Sequence, residues 1–568
     1  MTDIINADRL IEDKTRRREG AFFTPTLWAD EAHKQIEKLY GPDWKEEYVV
    51  WDCACGVGNL TRDYKFKELY CSTIVQDELN NMIENGINPE ATRFQHDFLQ
   101  DFPELGAFDD YALWEDKLPS GLVKAFNEGK KILFLINPPY VAAANFNNSE
   151  NLTSIAVNPI NVEMRYNKLG KPSAQLYTQF MYKIARIQSY YNLDMNLAIF
   201  NKPNFLTGGS FKGFRTYWFD QFELAYGMLF QASNFSDVST RWGILFSIWK
   251  SGKQPQRTEF PVEIKKQSQT KIEAVDIKVL YNFDDTTSAS KWVQEETKGL
   301  KTDRDVPQLT SGTGVKTTGH TMRGSVIEGL SFGYFFNSGD NIYENDQSIA
   351  LFSSAFSGGN GFSVIPDNFR KVTALFTARK TVTKKYANWI NDKDEYMKPN
   401  TDHPNYEQWN NDAIVHSLFD ISSQQSSLRD IEYKGKQWNI ENEWFWMSHK
   451  VIKKLADFHN NQAVYDDCKT FGKERYVYTA LKDLNLSQDA SEVLGLAEEL
   501  VSKSFKFRET MNEKHPEYHL NSWDIGWCQI VKILKEHLPD DLKAFRVKYK
   551  EFEDRMRPGV YEFGFLRE

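Results

Sequence analysis

A chain of 568 residues is too long to close around one hydrophobic core, so two or three domains are expected. Hydrophobic residues at 41% and charged residues at 26% are ordinary for a soluble globular protein and set aside fibrous or disordered classes. The net charge of −10 argues mildly against a nucleic-acid partner, although phosphate is bound by a local basic face rather than by the total.

No apolar run approaches a membrane span, and Met1-Thr2-Asp3-Ile4-Ile5-Asn6 lacks a basic-then-apolar signal layout, so no membrane association is expected. Cys53, Cys55, Cys71, Cys468 and Cys528 form no C-x-x-C pair, which points to the cytoplasm rather than an oxidising compartment. Aromatic residues reach a high 14%; most are expected in the core, and base stacking is one use for the excess.

In chain order, Gly20-Ala21-Phe22-Phe23-Thr24-Pro25 precedes a helical pattern through Trp28, Ala29, Ala32 and Ile36, with Thr24 as the expected N-cap and Pro25 at the first helical position. The apolar run Val49-Val50-Trp51 reads as a strand, and Asp52-Cys53-Ala54-Cys55-Gly56-Val57-Gly58-Asn59-Leu60 as the turn after it. Gly56 and Gly58 permit a tight strand-to-helix turn and a close approach of ligand to backbone. Cys53 and Cys55 have no partner cluster and read as structural cysteines rather than a metal pair.

A second strand, Ser72 to Val75, is expected to end at Gln76-Asp77-Glu78. A carboxylate roughly 20 residues past a glycine turn is where doubly wound folds bind a ribose, and Asp77 fits better than Glu78; the alternative is a solvated acidic pair at a helix start. Arg93-Phe94-Gln95-His96-Asp97-Phe98-Leu99 reads as a short polar–apolar loop, with His96 a surface or capping residue.

Lys131-Ile132-Leu133-Phe134-Leu135-Ile136 has no polar alternation, as expected of a central parallel strand, and Asn137-Pro138-Pro139-Tyr140 stops it. Proline lacks an N–H and has a fixed φ, so these residues form a stiff loop at the carboxyl end, where open α/β sheets bind ligands. An amide oxygen, a proline carbonyl and an aromatic ring together suit a planar group bearing an exocyclic amine.

Further along, Leu176, Phe180, Ile184 and Ile187 mark a helix over 174–190, Asn196 to Phe200 reads as a strand, and Trp242 to Trp249 as the last strand of the sheet. Turn-rich Ser251-Gly252-Lys253-Gln254-Pro255-Gln256 predicts a domain boundary. Residues 331–420 read as a β-containing domain with long loops, and 487–554 as helical. Basic and aromatic residues alternate at Phe369-Arg370-Lys371, Phe376 to Lys380 and Lys384-Lys385-Tyr386; Arg379 and Lys380 are the candidate DNA-binding side chains, against a solvated β-face as the alternative.

The tetrapeptide at 137–140 resembles the catalytic motif of amino-methylating methyltransferases, above all the N6-adenine-specific DNA enzymes in their gamma-type order. Asp52 to Gly58 is similar to that family's D-P-A-C-G-S/T-G element, departing at Cys53 and Val57. The resemblance runs over about residues 16–250 and is specific because the motifs come in one order. It implies an α/β fold: a doubly wound Rossmann-like methyltransferase sheet at 1–250, a mixed α+β target-recognition domain at 251–480 and a helical C-terminal region at 481–568. It implies S-adenosylmethionine as cofactor, with Phe23 and Thr24 at its methionine end, Asp52, Gly56 and Gly58 around the amino acid part, Asp77 on the ribose, and Asp97 and Phe98 at the adenine.

Catalysis would fall to Asn137, Pro138 and Tyr140 acting on a flipped-out adenine in double-stranded DNA, with Phe235 against the target base and no metal. The alternatives are a protein-glutamine or RNA-guanine amino methyltransferase, the methylase part of a bifunctional restriction enzyme, or a non-catalytic DNA-binding subunit. A separate restriction endonuclease is a partner compatible with the resemblance.

Overall fold

The computed structural model describes residues 24–101, 112–140, 158–235, 242–255, 258–310, 314–316, 324–337, 348–357, 361–383 and 396–567. The chain divides into two units, one up to Asp285 and one from Thr286 onward.

The first unit is a doubly wound α/β structure built on one nine-stranded sheet. Its strands are β1 (Val49–Asp52), β2 (Glu68–Thr73), β3 (Thr92–Gln95), β4 (Ile132–Ile136), β5 (Met195–Asn201), β6 (Phe222–Gln231), β7 (Gly243–Ser251), β8 (Glu259–Gln267) and β9 (Ile272–Tyr281), in the order β3-β2-β1-β4-β5-β7-β6-β8-β9. From β3 to β5 all neighbours are parallel, whereas β7 runs antiparallel between β5 and β6.

The unbroken apolar run of β4 is explained by burial on both faces. Ile132, Phe134 and Ile136 enter one core with Trp51 and Phe180, while Leu133 and Leu135 enter a second core with Val50 and Trp28. Helix α1 (Thr26–Tyr40) supplies Trp28 and Ile36 to the second core; α2 (Gln76–Glu84) adds Leu79 and Met82. Helices α3 (Ser120–Asn127) and α4 (Leu176–Tyr191) line the first.

Chain order runs outward from β1 to β3, then returns to β4 on the other side of β1. The direction of winding therefore reverses between β1 and β4, and the crevice beyond their carboxyl ends is where such sheets bind ligands.

Two sequence expectations change. The strand from Trp242 is not the last: β7 is inserted beside β5, and β8 and β9 continue the sheet to Tyr281. The described part of that turn-rich segment, 251–255, is accordingly no domain boundary; Gly252 N donates to the Gln221 carbonyl and Gln254 N to that of Phe219, stitching it to the sheet unit. Polar turns look alike in sequence whether they leave a domain or double back into it.

The second unit is mixed α+β. It holds a four-stranded sheet of Gly361–Val364, Gly333–Asn337, Ile349–Phe352 and Ser423–Gln424, and a hairpin of Leu428–Tyr433 with Lys436–Ile440. Its helices include α5 (Phe369–Thr381), α6 (Tyr406–Phe419), α7 (Gln488–Ser504), α8 (Trp527–His537) and α9 (Pro539–Met556). The helical C-terminal stretch belongs to this same unit: fully buried Asp524 accepts from Arg429 Nη2 at 2.9 Å, Arg475 Nε at 2.8 Å and Asn442 N at 2.9 Å, tying residues before α8 to the hairpin. Among the described residues no helix is long and apolar enough to cross a membrane.

Candidate active site at the carboxyl ends of the central strands

Asn137 follows β4 directly, and its side chain is held from two directions. Its Nδ2 donates to Thr24 Oγ1 at 2.9 Å, and its Oδ1 accepts from the Tyr140 hydroxyl at 2.5 Å. Burial pushes the Tyr140 phenol well above its ordinary range, so the hydroxyl keeps its proton and donates. The Tyr140 ring is buried and meets Trp242 edge-on at 5.4 Å. The half-buried Trp242, read from the sequence only as the start of a strand, in turn has its ring centroid 5.0 Å from Lys202 Nζ.

Thr24 is buried but is not a helix cap. Pro25 takes the N-cap position of α1, with no side-chain cap bond. The hydroxyl expected to cap α1 is directed at Asn137 instead. Phe23 lies outside the described residues.

Asp52 ends β1, next to β4 in the sheet, and is fully buried. Its Oδ1 accepts from Ala54 N at 3.3 Å, whereas its buried Oδ2 has no hydrogen-bond partner among the described residues. Burial raises the carboxyl to about 8. A buried acceptor left without a donor is costly, and a ligand ammonium fits it. Gly56 and Gly58 adopt positive φ of 51° and 83°. A Cβ on Gly58 would stand 2.9 Å from Met82 Cε, so this glycine also serves the packing of α2. Cys53 and Cys55 are buried free thiols.

The acidic pair after β2 divides by environment. The strand stops at Thr73, and Gln76 to Glu78 form the first turn of α2. Asp77 is exposed there, whereas Glu78 is buried and accepts from Thr73 Oγ1 at 2.6 Å.

After β3, Asp97 Oδ1 accepts from Leu99 N and Gln100 N, both at 3.0 Å, and so shapes its own loop. Phe98 is buried, stacked on Phe180 at 5.1 Å and edge-on to Trp51 at 5.4 Å. His96 is not at the surface: it is 2% exposed, its Nδ1 is 3.2 Å from Asp101 Oδ2, and burial lowers its basicity.

Behind this loop sits Lys183 of α4, 0% exposed, which donates to the carbonyls of Phe98 at 2.6 Å and Asp101 at 3.0 Å. Its signal in the sequence was a lysine interrupting the apolar stripe of Leu176, Phe180, Ile184 and Ile187.

Asp52, Asp77, Asp97 and Asn137 thus follow the carboxyl ends of four parallel neighbours, so one edge of the sheet carries all of them. Phe235 follows β6 but is 1% exposed, packed between Phe200 at 5.8 Å and Phe230 at 5.5 Å, and in this state its ring belongs to the core.

Arg379 and Lys380 do not form a basic face. They lie on α5, a helix buried nearly all round rather than a strand of a β-domain. Arg379 is 3% exposed and hydrogen-bonded to Asn337 Oδ1; Lys380 is 4% exposed, 2.8 Å from Ser422 Oγ and 3.6 Å from Asp420. Local charge and aromatic pattern carried no sign of the helix packed against them.

Comparison with protein-family models finds no match, and none is found among curated proteins. Among solved structures the chain is similar to the restriction-modification enzyme MmeI in complex with DNA: 13% identity over 54% of this chain and 46% of that one, TM-score 0.30. It is also similar to DrdV in its DNA complex, with 15% identity over 46% of this chain and 29% of that one, TM-score 0.31. The ATP-dependent Type ISP restriction-modification enzyme LlaBIII bound to DNA matches at 13% identity over 46% of this chain and 21% of that one, TM-score 0.30. The chain spans less than half the length of each of these three, and at these scores the likeness is slight.

Proposed function

We propose that this chain is a site-specific DNA adenine N6-methyltransferase that uses S-adenosylmethionine. The observation that carries the reading is the fixed carboxamide of Asn137 at the carboxyl end of β4, held by Thr24 and adjacent to a buried, proton-donating Tyr140. When bound, S-adenosylmethionine supplies an electrophilic methyl group. Asp52 would hold its amino group; the buried Oδ2 without a donor among the described residues supports that assignment. Gly56 and Gly58 shape the turn beside it, Asp77 would take the ribose hydroxyls, and Asp97 with Phe98 the adenine end.

The N6 lone pair of adenine is delocalised into the ring and is a poor nucleophile. Asn137 Oδ1, an amide oxygen with two lone pairs, would be one acceptor, and the Pro138 carbonyl, beyond the end of β4, the other. Accepting both N–H bonds enriches the nitrogen in electrons and directs its lone pair out of the base plane. Fixed acceptor dipoles then stabilise the positive charge that develops on nitrogen, and the proton leaves after transfer. Adenine stacked in a duplex cannot reach this loop, so the base must be flipped out, with Tyr140 and Trp242 as its aromatic neighbours. Thr24 and the large second unit favour DNA over glutamine or RNA guanine as the substrate.

The test is modification-sensitive sequencing of DNA from cells expressing the chain, beside an Asn137→Ala control. One sequence motif carrying N6-methyladenine only with the intact chain supports the proposal; the absence of any modified base, or equal modification by the control, removes it.

A further inference from the structure

We propose that Lys183 is a positioning residue for the cofactor, holding the loop from Asp97 to Asp101 from behind in the one shape that can receive the adenosine end of S-adenosylmethionine. The inference rests on the proposed function and deepens it.

A lysine with 0% exposure is expensive, and a helix needing only to fill that space would carry leucine or methionine. Lys183 instead directs its ammonium to the carbonyl oxygens of Phe98 at 2.6 Å and Asp101 at 3.0 Å. Its Nζ also lies 4.5 Å from the Phe98 ring centroid and 5.0 Å from that of Trp114, contacts that stabilise a desolvated cation.

The loop is closed on itself on its other side. Asp101 N donates to the Asp97 carbonyl at 2.9 Å, Asp97 N returns a bond to Asp101 Oδ2 at 3.0 Å, and Lys117 Nζ reaches Asp101 Oδ1 at 2.6 Å. These local bonds set the curvature of the loop. Lys183 hydrogen-bonds it to the helix layer across more than eighty positions of chain, beside the stacking of Phe98 on Phe180. Removing that tie takes the donor from the buried Phe98 carbonyl and the part-buried Asp101 carbonyl and loosens the loop that carries the two residues assigned to the cofactor adenine.

Burial lowers the Lys183 ammonium to about 7, while Cys53 at the end of β1 and the carboxylates of Asp101 and Asp97 support the charge and Lys117 opposes it. His96, on the same loop, faces Asp101. A charge maintained at such cost between the Asp52 turn and the Asp97 loop fits a role in shaping the site.

The experiment measures S-adenosylhomocysteine binding by calorimetry, and methyl-transfer kinetics, on the full chain and its Lys183→Met variant. The expected result is a dissociation constant and a KM for S-adenosylmethionine raised about tenfold or more, with kcat at saturating cofactor nearly kept. Amide exchange should accelerate at 97–101 and remain unchanged at Asn137. If Lys183→Met does not fold, Lys183→Gln, which keeps one N–H donor and the approximate length, replaces it with the same expectation at smaller size. A folded variant that binds S-adenosylhomocysteine like the parent, or that loses kcat with binding unchanged, overturns the assignment. Failure of the parent chain itself to bind S-adenosylhomocysteine would instead remove the methyltransferase reading, and this inference with it.

Discussion

The carboxamide of Asn137 donates to the hydroxyl of Thr24 across 2.9 Å, joining residues 113 positions apart in the chain. The bond fixes which face of the amide is nitrogen and leaves Oδ1 as the acceptor beside Tyr140. Residues preceding α1 therefore set the orientation of the group after β4.

Removal of that hydroxyl should slow methyl transfer even at saturating cofactor. Thr24→Val keeps the shape and deletes the acceptor; the expected loss is about tenfold in kcat, or about 1.4 kcal/mol, the scale of one hydrogen bond. Radiolabelled methyl transfer at saturating cofactor reads it, and an unchanged rate would show that the Asn137 amide is oriented by something else.

Asn137→Ala should be more severe, because it deletes the acceptor that acts on the developing charge. A fall of about 10²–10³ in kcat is expected from the loss of one fixed electrostatic group. Binding of S-adenosylhomocysteine should stay within about twofold of the parent, since Asn137 is assigned to the base and not to the cofactor.

Asp52 makes both binding and stability depend on pH. Its carboxyl moves from an ordinary 3.8 to about 8 through burial, so between these values the folded chain holds a proton that the unfolded chain has released. Its contribution to stability is fully present below about pH 4 and is lost as pH rises through about 8. The melting temperature of Asp52→Asn relative to the parent should therefore increase from pH 5 to pH 8. Affinity for S-adenosylhomocysteine should move the opposite way in the parent, rising with pH over pH 6–8 as the carboxylate forms, and should be flat in the variant. Differential scanning calorimetry and titration at three pH values separate the two effects.

Lys380→Ala should unfold the second unit more readily and leave the salt dependence of DNA binding unchanged. The ammonium is 4% exposed beside Asp420, itself 6% exposed, and removal of one partner of a buried pair costs about 3 kcal/mol or more. A phosphate-contacting lysine would behave in reverse, with little change in stability and a shallower salt slope. Thermal unfolding and binding at several salt concentrations distinguish the two roles.

What the sequence by itself determined was local. Ile132 to Ile136 had to be a central strand, because a run apolar on both faces is stable only when covered on both. The two prolines had to end it, because they can donate no ladder bond, and Asn137 was thereby placed at a strand end whatever the rest of the chain did. Only the tertiary structure decided which polar groups are enclosed and by what: Thr24 turned from a helix cap to Asn137, His96 and Lys183 buried around the Asp97 loop, Phe235 held in the core, Arg379 and Lys380 inside the second unit, and the sheet continued through β9. Each depends on elements distant in sequence packing over a residue, and the burial of a charge is set by that covering layer rather than by its neighbours along the chain.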